Sequence, residues 1–188
     1  MNKELLDPYS ICPVYETRSF TLRLVRPEDA LDLLRCYSDP EAIPLFNDDN
    51  CRYGFSMHKL DDMRNCIEAW LQEYRERRFV RFSIIDKQSG RAVGTIEFFT
   101  RTEQSADMQH EIAIMRLDLE SGYERTAEID ELLELVEMRF SEIFTFTSIL
   151  TKAVPEATAR TGVLLSRGYK KVERSAKLPY NNYYILGS

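Results

Sequence analysis

Two histidines, four cysteines and a dense run of carboxylates are the residues of this 188-residue chain whose types could do chemistry, so their spacing comes first. His58 and His110 could serve as general bases, but neither lies near a serine or cysteine in a nucleophile signature. They read as ordinary hydrogen-bonded histidines. Cys12, Cys36, Cys51 and Cys66 are 24, 15 and 15 residues apart, with no C-x-x-C pair. With only two histidines to help, they make no metal site, and buried or idle thiols are expected. Between Asp118 and Glu142 stand nine acids against two bases, Arg125 and Arg139, which places the chain's whole negative excess on one short stretch. Such a face could dock a basic partner or a cationic substrate, although an acid-rich helix face is more often simply solvated. Arg75-Glu76-Arg77-Arg78 ends a predicted helix, where cations complement the dipole. Tyr180, Tyr183 and Tyr184, with Asn181 and Asn182, could line a substrate mouth, but tyrosines at strand spacing more often pack on a sheet.

The whole-chain numbers limit the classes of function. With 44% hydrophobic and 30% charged residues the chain is able to bury a real core as one domain. A formal charge of -6 argues against gripping nucleic acid, and an acidic membrane surface would repel the chain. No run approaches the ~18 apolar residues of a spanning helix, and Met1 to Asp7 lacks the basic-then-apolar order of a secretory leader. The expectation is a cytoplasmic protein, monomeric or homodimeric.

The elements that must position any site follow from periodicity. Phe20 to Val25 alternates as a strand, and Arg26-Pro27-Glu28-Asp29 opens a helix running to about Ser38. Leu60, Met63, Ile67, Trp70, Leu71 and Tyr74 mark one face of a second helix. Phe79 to Asp86 and Ala92 to Thr100 are strands joined by Lys87-Gln88-Ser89-Gly90, and Gln109 to Leu117 is a third neighbouring strand. Thr126 to Phe144 is the strongest helical pattern. Thr147 to Val154 is a strand, Pro155 and Glu156 open a short helix ending at Gly168, and Tyr169 to Glu173 and Tyr180 to Leu186 are the last strands. Residues 1–15 form an N-terminal extension to this single domain.

Several short pieces share an order with a known family: Glu16-Thr17-Arg18-Ser19-Phe20-Thr21-Leu22-Arg23, Pro27-Glu28-Asp29-Ala30, Tyr37-Ser38-Asp39-Pro40-Glu41 and Gly94-Thr95-Ile96. With the β α α β β β α β α β β order, they make the chain resemble the GNAT superfamily of acetyl-coenzyme A dependent N-acetyltransferases. The similarity is strongest to the branch containing ribosomal-protein N-terminal acetyltransferases and covers nearly the whole chain. It implies an α/β domain whose mixed, mostly antiparallel seven-strand sheet is flanked by four helices. That sheet would splay between its fourth and fifth strands, Gln109 to Leu117 and Thr147 to Val154, to admit the cofactor's pantetheine arm.

The resemblance also implies a site. Backbone groups of Met115, Arg116 and Leu117 would position the thioester and polarise its carbonyl. The pyrophosphate would rest on amides at the start of the following helix, where orphan N–H groups and the dipole favour an anion: Gly122, Tyr123, Glu124, Arg125, Thr126 and Ala127. Glu111, or less directly Glu97, would help remove a proton from the incoming primary amine of a small molecule or peptide, and Tyr53 and Phe55 would border the acceptor. No metal is implied.

The chain departs from the family where phosphate should bind. Laid from Glu111-Ile112, the R/Q-x-x-G-x-G/A loop falls on Ser121 to Thr126, with Ser121, Glu124 and Thr126 at its three specified positions. Glycine belongs where backbone closely approaches phosphate. A carboxylate about 5 Å from a phosphate charge costs on the order of 3 kcal/mol at an effective dielectric of ~20, roughly two decades of affinity. Arg125 could offset part of that. In the second signature, P-x-N-x-x-S, Ala157 stands for Asn and Arg160 for Ser, while Leu164 stands where some members place a tyrosine acid. Two functions are therefore expected: an acetyl-CoA dependent N-acetyltransferase, or a relative that has kept the fold and acts as a binding or regulatory module.

Overall fold

The structure, a computed structural model, describes residues 5–46, 56–105, 108–173 and 181–187. Its elements in chain order are β1 (Tyr15–Glu16), β2 (Phe20–Leu24), α1 (Ala30–Ser38), α2 (Leu60–Arg75), β3 (Val80–Asp86), β4 (Ala92–Ser105), β5 (Met108–Leu119), α3 (Thr126–Arg139), β6 (Ser148–Lys152), α4 (Thr158–Ser166), β7 (Lys170–Val172) and β8 (Tyr183–Gly187). The strands form one sheet in the order β1-β2-β3-β4-β5-β6-β8-β7.

The expected seven strands are eight. The extra one, β1, comes from the end of the N-terminal extension, where Tyr15 pairs with Leu22 and Glu16 with Thr21. Two residues carry no periodicity. The strand is held by the buried Tyr15 ring, stacked on Phe140 at 5.3 Å between centroids and tilted against Phe82 at 6.1 Å. Upstream, the extension lies along the domain: Leu6 N–H donates to the Glu142 carbonyl at 3.0 Å, and the Tyr74 hydroxyl donates to the Pro8 carbonyl at 2.6 Å.

Strand alternation divides the core between the two faces of the sheet. On one face Leu22, Val80, Phe82, Ile96, Phe98, Met115 and Leu117 meet Ile129, Leu132, Leu133 and Val136 of α3 and Val163 and Leu164 of α4. The Phe140 ring lies 4.9 Å from Phe98 and 5.1 Å from Phe82, joining α3 to the sheet. The other face carries α1 and α2 through Leu33, Cys36, Tyr37, Met63, Ile67 and Trp70. The helix starting at Thr126 ends as an α-helix at Arg139, and a 3-10 turn, Phe140–Glu142, finishes the stretch expected to be helical.

The feature that positions a site is the junction of β5 and β6. All other strand pairs are antiparallel, whereas β5 and β6 run parallel and pair only from Ile112–Ser148 to Met115–Thr151. Beyond Met115, β5 continues to Leu119 against β4 alone, while β6, paired along its other edge with β8 throughout, ends at Lys152. The sheet therefore opens after Met115, between the two strands that correspond to the predicted Gln109–Leu117 and Thr147–Val154.

Candidate functional site

The opening is bounded by the Arg116–Leu119 end of β5, the turn after it, and the first turn of α4. One of its backbone acceptors is already engaged. The Leu117 carbonyl, which points away from β4's ladder, accepts from Arg160 Nη1 of α4 at 2.7 Å, and the same nitrogen reaches the Leu45 carbonyl at 3.3 Å. Arg160 Nη2 pairs with Glu124 Oε1, and both side chains are almost fully buried, at 3% and 6% exposure. Burial pushes the Glu124 carboxyl above its ordinary value, against the opposing pull of Arg160. Among the described residues, Glu124 Oε2 and Arg160 Nε are buried with no hydrogen-bond partner. Glu124 and Arg160, which the sequence reading set at the glycine and serine positions of the two signatures, thus meet in space as an anion and a cation.

The turn itself is internally satisfied. Ser121 N–H donates to Asp39 Oδ2 at 2.8 Å, Tyr123 N–H to the Glu120 carbonyl at 2.8 Å and Glu124 N–H to the Ser121 carbonyl at 3.1 Å. Although burial opposes it, these hydrogen bonds from Ser121, with those from the amides of Glu41 and Ala42, hold the Asp39 carboxyl below its usual range. Gly122 is exposed and has open space around it, so its lack of a side chain permits no close contact here. Tyr123 turns away, donating to Asp86 Oδ2 at 3.1 Å. Arg125, 64% exposed, pairs with Glu128 at 2.6 Å, so Arg160 rather than Arg125 meets Glu124. Thr126 and Ala127 open α3 after an extended Arg125 that makes no side-chain cap, which leaves the first amides without the helix partners later ones have.

The two candidate bases are not brought together. Glu97 lies buried in a row across three strands, Arg81–Glu97–Arg116, with each carboxylate oxygen taken by one guanidinium. Arg81 is also stacked 4.1 Å from the Trp70 ring. The next row inward ties the Tyr37 hydroxyl to Asp118 Oδ2 at 2.9 Å and Thr95 Oγ1 at 2.8 Å. Burial, with the Asp118 charge beside it, pushes the Tyr37 phenol well up, so it stays protonated. Glu111 is half-buried, accepts from the Thr102 hydroxyl, and faces the opposite side of the sheet from Glu97. It lies four residues, roughly 13 Å, along the strand from Met115. Tyr53 and Phe55 lie outside the described residues, as does Tyr180. Asp39 and the Arg160–Glu124 contact were not anticipated, although opposite charges at two abnormal signature positions were a legible signal.

The acidic stretch is less bare than its composition implies. Arg167 bonds Glu137 at 2.8 Å and Asp130 at 2.8 Å, Arg91 reaches Glu120 at 3.2 Å, and Glu131 accepts from Ser19 N–H at 2.6 Å. No helix among the described residues is long and apolar enough to cross a membrane, and no group of three potential metal ligands occurs among them.

This sheet, opening at one parallel junction and followed there by a helix start, defines an acyltransferase-type fold. The chain belongs to the acetyltransferase (GNAT) domain family, whose pattern it matches over residues 19–149. No curated protein sequence matches it. Among solved structures it is similar to the acetyl transferase from Salmonella typhimurium that modifies the N-terminal serine of ribosomal protein L7/L12, with a TM-score of 0.67, 10% identity, and coverage of 94% of this chain and 99% of that one. The ribosomal-protein-S5-alanine acetyltransferase from Vibrio fischeri aligns with a TM-score of 0.62 at 13% identity, covering 93% and 96%. Mycobacterium smegmatis RimJ, in complex with CoA-disulfide, aligns with a TM-score of 0.64 at 17% identity, covering 93% and 87%.

Acetyl-CoA is the family's acyl donor, and the residues here can be weighed against it. The uncapped start of α3 and the buried Arg160 Nε suit an anionic group, while the Glu124 carboxylate stands against one. The site fits once Glu124 gives way.

Proposed function

We propose that this protein is an acetyl-CoA dependent N-acetyltransferase that acetylates a primary amine. The observation that carries the reading is the opening of the sheet beyond the Met115–Thr151 pair, directly beside the uncapped start of α3. When bound, acetyl-CoA supplies an acyl group activated by a thiol leaving group. The chain's part is to bind and orient: the amides of Thr126 and Ala127 receive the phosphates, and the backbone of Arg116 and Leu117, unpaired by β6, aligns the arm once Arg160 releases the Leu117 carbonyl. The incoming ammonium must lose a proton before it can attack. Of the two candidate carboxylates, Glu111 pairs with no cation among the described residues and is only half-buried, so it is assigned as the base, reaching the amine through water. Glu97, with both oxygens on guanidiniums, has the geometry of a structural anion that fixes Arg116 beside the opening. That one structural neighbour modifies the N-terminal serine of ribosomal protein L7/L12 and another is a ribosomal-protein-S5-alanine acetyltransferase supports a peptide amine as the acceptor.

A second reading has its own observation. The buried Arg160–Glu124 pair fills the opening, as it would in a relative that has given up its cofactor and serves as a binding module. Calorimetric titration with acetyl-CoA, followed by thiol release in the presence of an amine panel, separates the two. Sub-millimolar binding with amine-dependent thiol release is expected for the enzyme. Absence of binding both in the natural protein and in Glu124→Gln would overturn the acetyltransferase reading.

A further inference from the structure

We infer that Arg160 is the phosphate-holding residue of this protein, and that Glu124 is its built-in substitute for the phosphate. The inference rests on the acetyl-CoA reading above and goes beyond it, since it moves the job of the absent glycine loop to a side chain on another helix.

Four observations converge on it. First, Arg160 has the chemistry. Its planar fork suits carboxylate and phosphate alike, and it lies in the opening of the sheet rather than at the surface. Second, it is not satisfied. Arg160 Nε and Glu124 Oε2 are both buried without partners among the described residues, so the pair makes one strong contact and leaves one donor and one acceptor orphaned. Arg81 Nε and Arg116 Nε are orphaned too, but there both Glu97 oxygens are taken, whereas here the carboxylate is left half-unpaired as well. Third, carboxylates take two of the donors at this end of the domain: Glu124 on the guanidinium, and Asp39 on the Ser121 amide. Fourth, Arg160 also holds the Leu117 carbonyl at 2.7 Å, a backbone acceptor on the open edge of β5. A guanidinium that turns from Glu124 to a phosphate releases that carbonyl for an amide of the pantetheine arm. One side chain thereby couples phosphate capture to opening of the edge.

The pair sets a competition. Free Glu124 is an intramolecular rival at very high effective concentration, so the natural protein should bind CoA weakly and removal of the rival charge should tighten it. The test is calorimetric titration of CoA, and separately of pantetheine, which lacks phosphate, into the natural protein, Glu124→Gln, and the double variant Glu124→Gln/Arg160→Met. The double variant buries no unpaired charge, and thermal unfolding checks that it is folded. Expected is CoA binding about tenfold tighter in Glu124→Gln, an advantage lost by at least about tenfold in the double variant, while pantetheine, which needs only the Leu117 carbonyl that Arg160→Met frees, binds the double variant at least as tightly as Glu124→Gln. If the folded double variant binds CoA as tightly as Glu124→Gln, Arg160 holds no phosphate and the inference falls while the acetyltransferase reading stands. If no variant binds CoA or pantetheine, both fall together.

Discussion

Asp29 shows how much a single carboxylate can do at the residue scale. It is 5% exposed, sits at the turn between β2 and α1, and accepts from both Arg23 nitrogens at 2.6 and 2.9 Å, from the Ser83 hydroxyl at 2.7 Å and from the Arg26 amide at 2.9 Å. Burial alone would raise its pKa, but these donors together hold it below the ordinary 3.8. A depressed carboxylate contributes stability that is present above the unfolded value and lost as pH falls through the folded one. Asp29→Asn should therefore cost about 3 kcal/mol near neutral pH by leaving Arg23 unpaired. In denaturant titrations the gap from the natural protein should narrow as pH drops below 3.8, and a constant gap would contradict the assignment. The proposed base makes a kinetic prediction at the same scale. Glu111→Gln should lower kcat by about a hundredfold near neutral pH, with CoA affinity unchanged, and part of the loss should be recovered at higher pH as the amine deprotonates unaided.

At the scale of elements, close packing of strands makes the clearest demand. A Cβ added at Gly94 on β4 would lie 2.2 Å from the Asp118 carbonyl and 3.0 Å from the Leu119 Cα, both backbone of β5. Neither can swing aside, so Gly94→Ala should destabilise by about 3 kcal/mol and weaken the β4–β5 ladder beside the opening, read by hydrogen exchange of Leu119. Phe140→Ala removes a ring shared by Tyr15, Phe82 and Phe98 and should cost about 4 kcal/mol in denaturant titrations. Elements with many turns were the legible ones. The six apolar residues at helical spacing, Leu60 to Tyr74, all fall on α2. What stayed hidden was non-local. The β1 strand is two residues long and is specified by an aromatic contact 125 residues away, between Tyr15 and Phe140. The extension of β4 from Thr100 to Ser105 is polar and takes its shape from pairing with β5, not from its own alternation. The pair at the site joins residues 36 apart, beyond any local spacing rule.

For the whole molecule, one sheet shared by two cores implies one unfolding unit. Trp70, the single tryptophan, is buried beneath Arg81 on the α1–α2 face and reports that side alone, whereas far-ultraviolet dichroism reports all elements. The two probes should give coincident thermal transitions; separated midpoints would mean that the helical layer melts from the sheet. The acidic charge also belongs to this scale. Arginines from β4's start, α4's end and the opening neutralise α3 and its preceding turn piecemeal, so the net -6 is spread over ion pairs rather than presented as one continuous field.

The same opening bears on how the protein stays dispersed. A sheet is most prone to recruit a stranger's strand along an edge whose backbone groups are unpaired. Here the outer edges are blunt, two residues in β1 and three in β7, and the longer unpaired stretch at the end of β5 is buried, Leu117 at 2% and Leu119 at 0% exposure. Arg160, seated on the Leu117 carbonyl, helps keep that stretch covered, and a chain deprived of it should become sticky before it becomes unfolded.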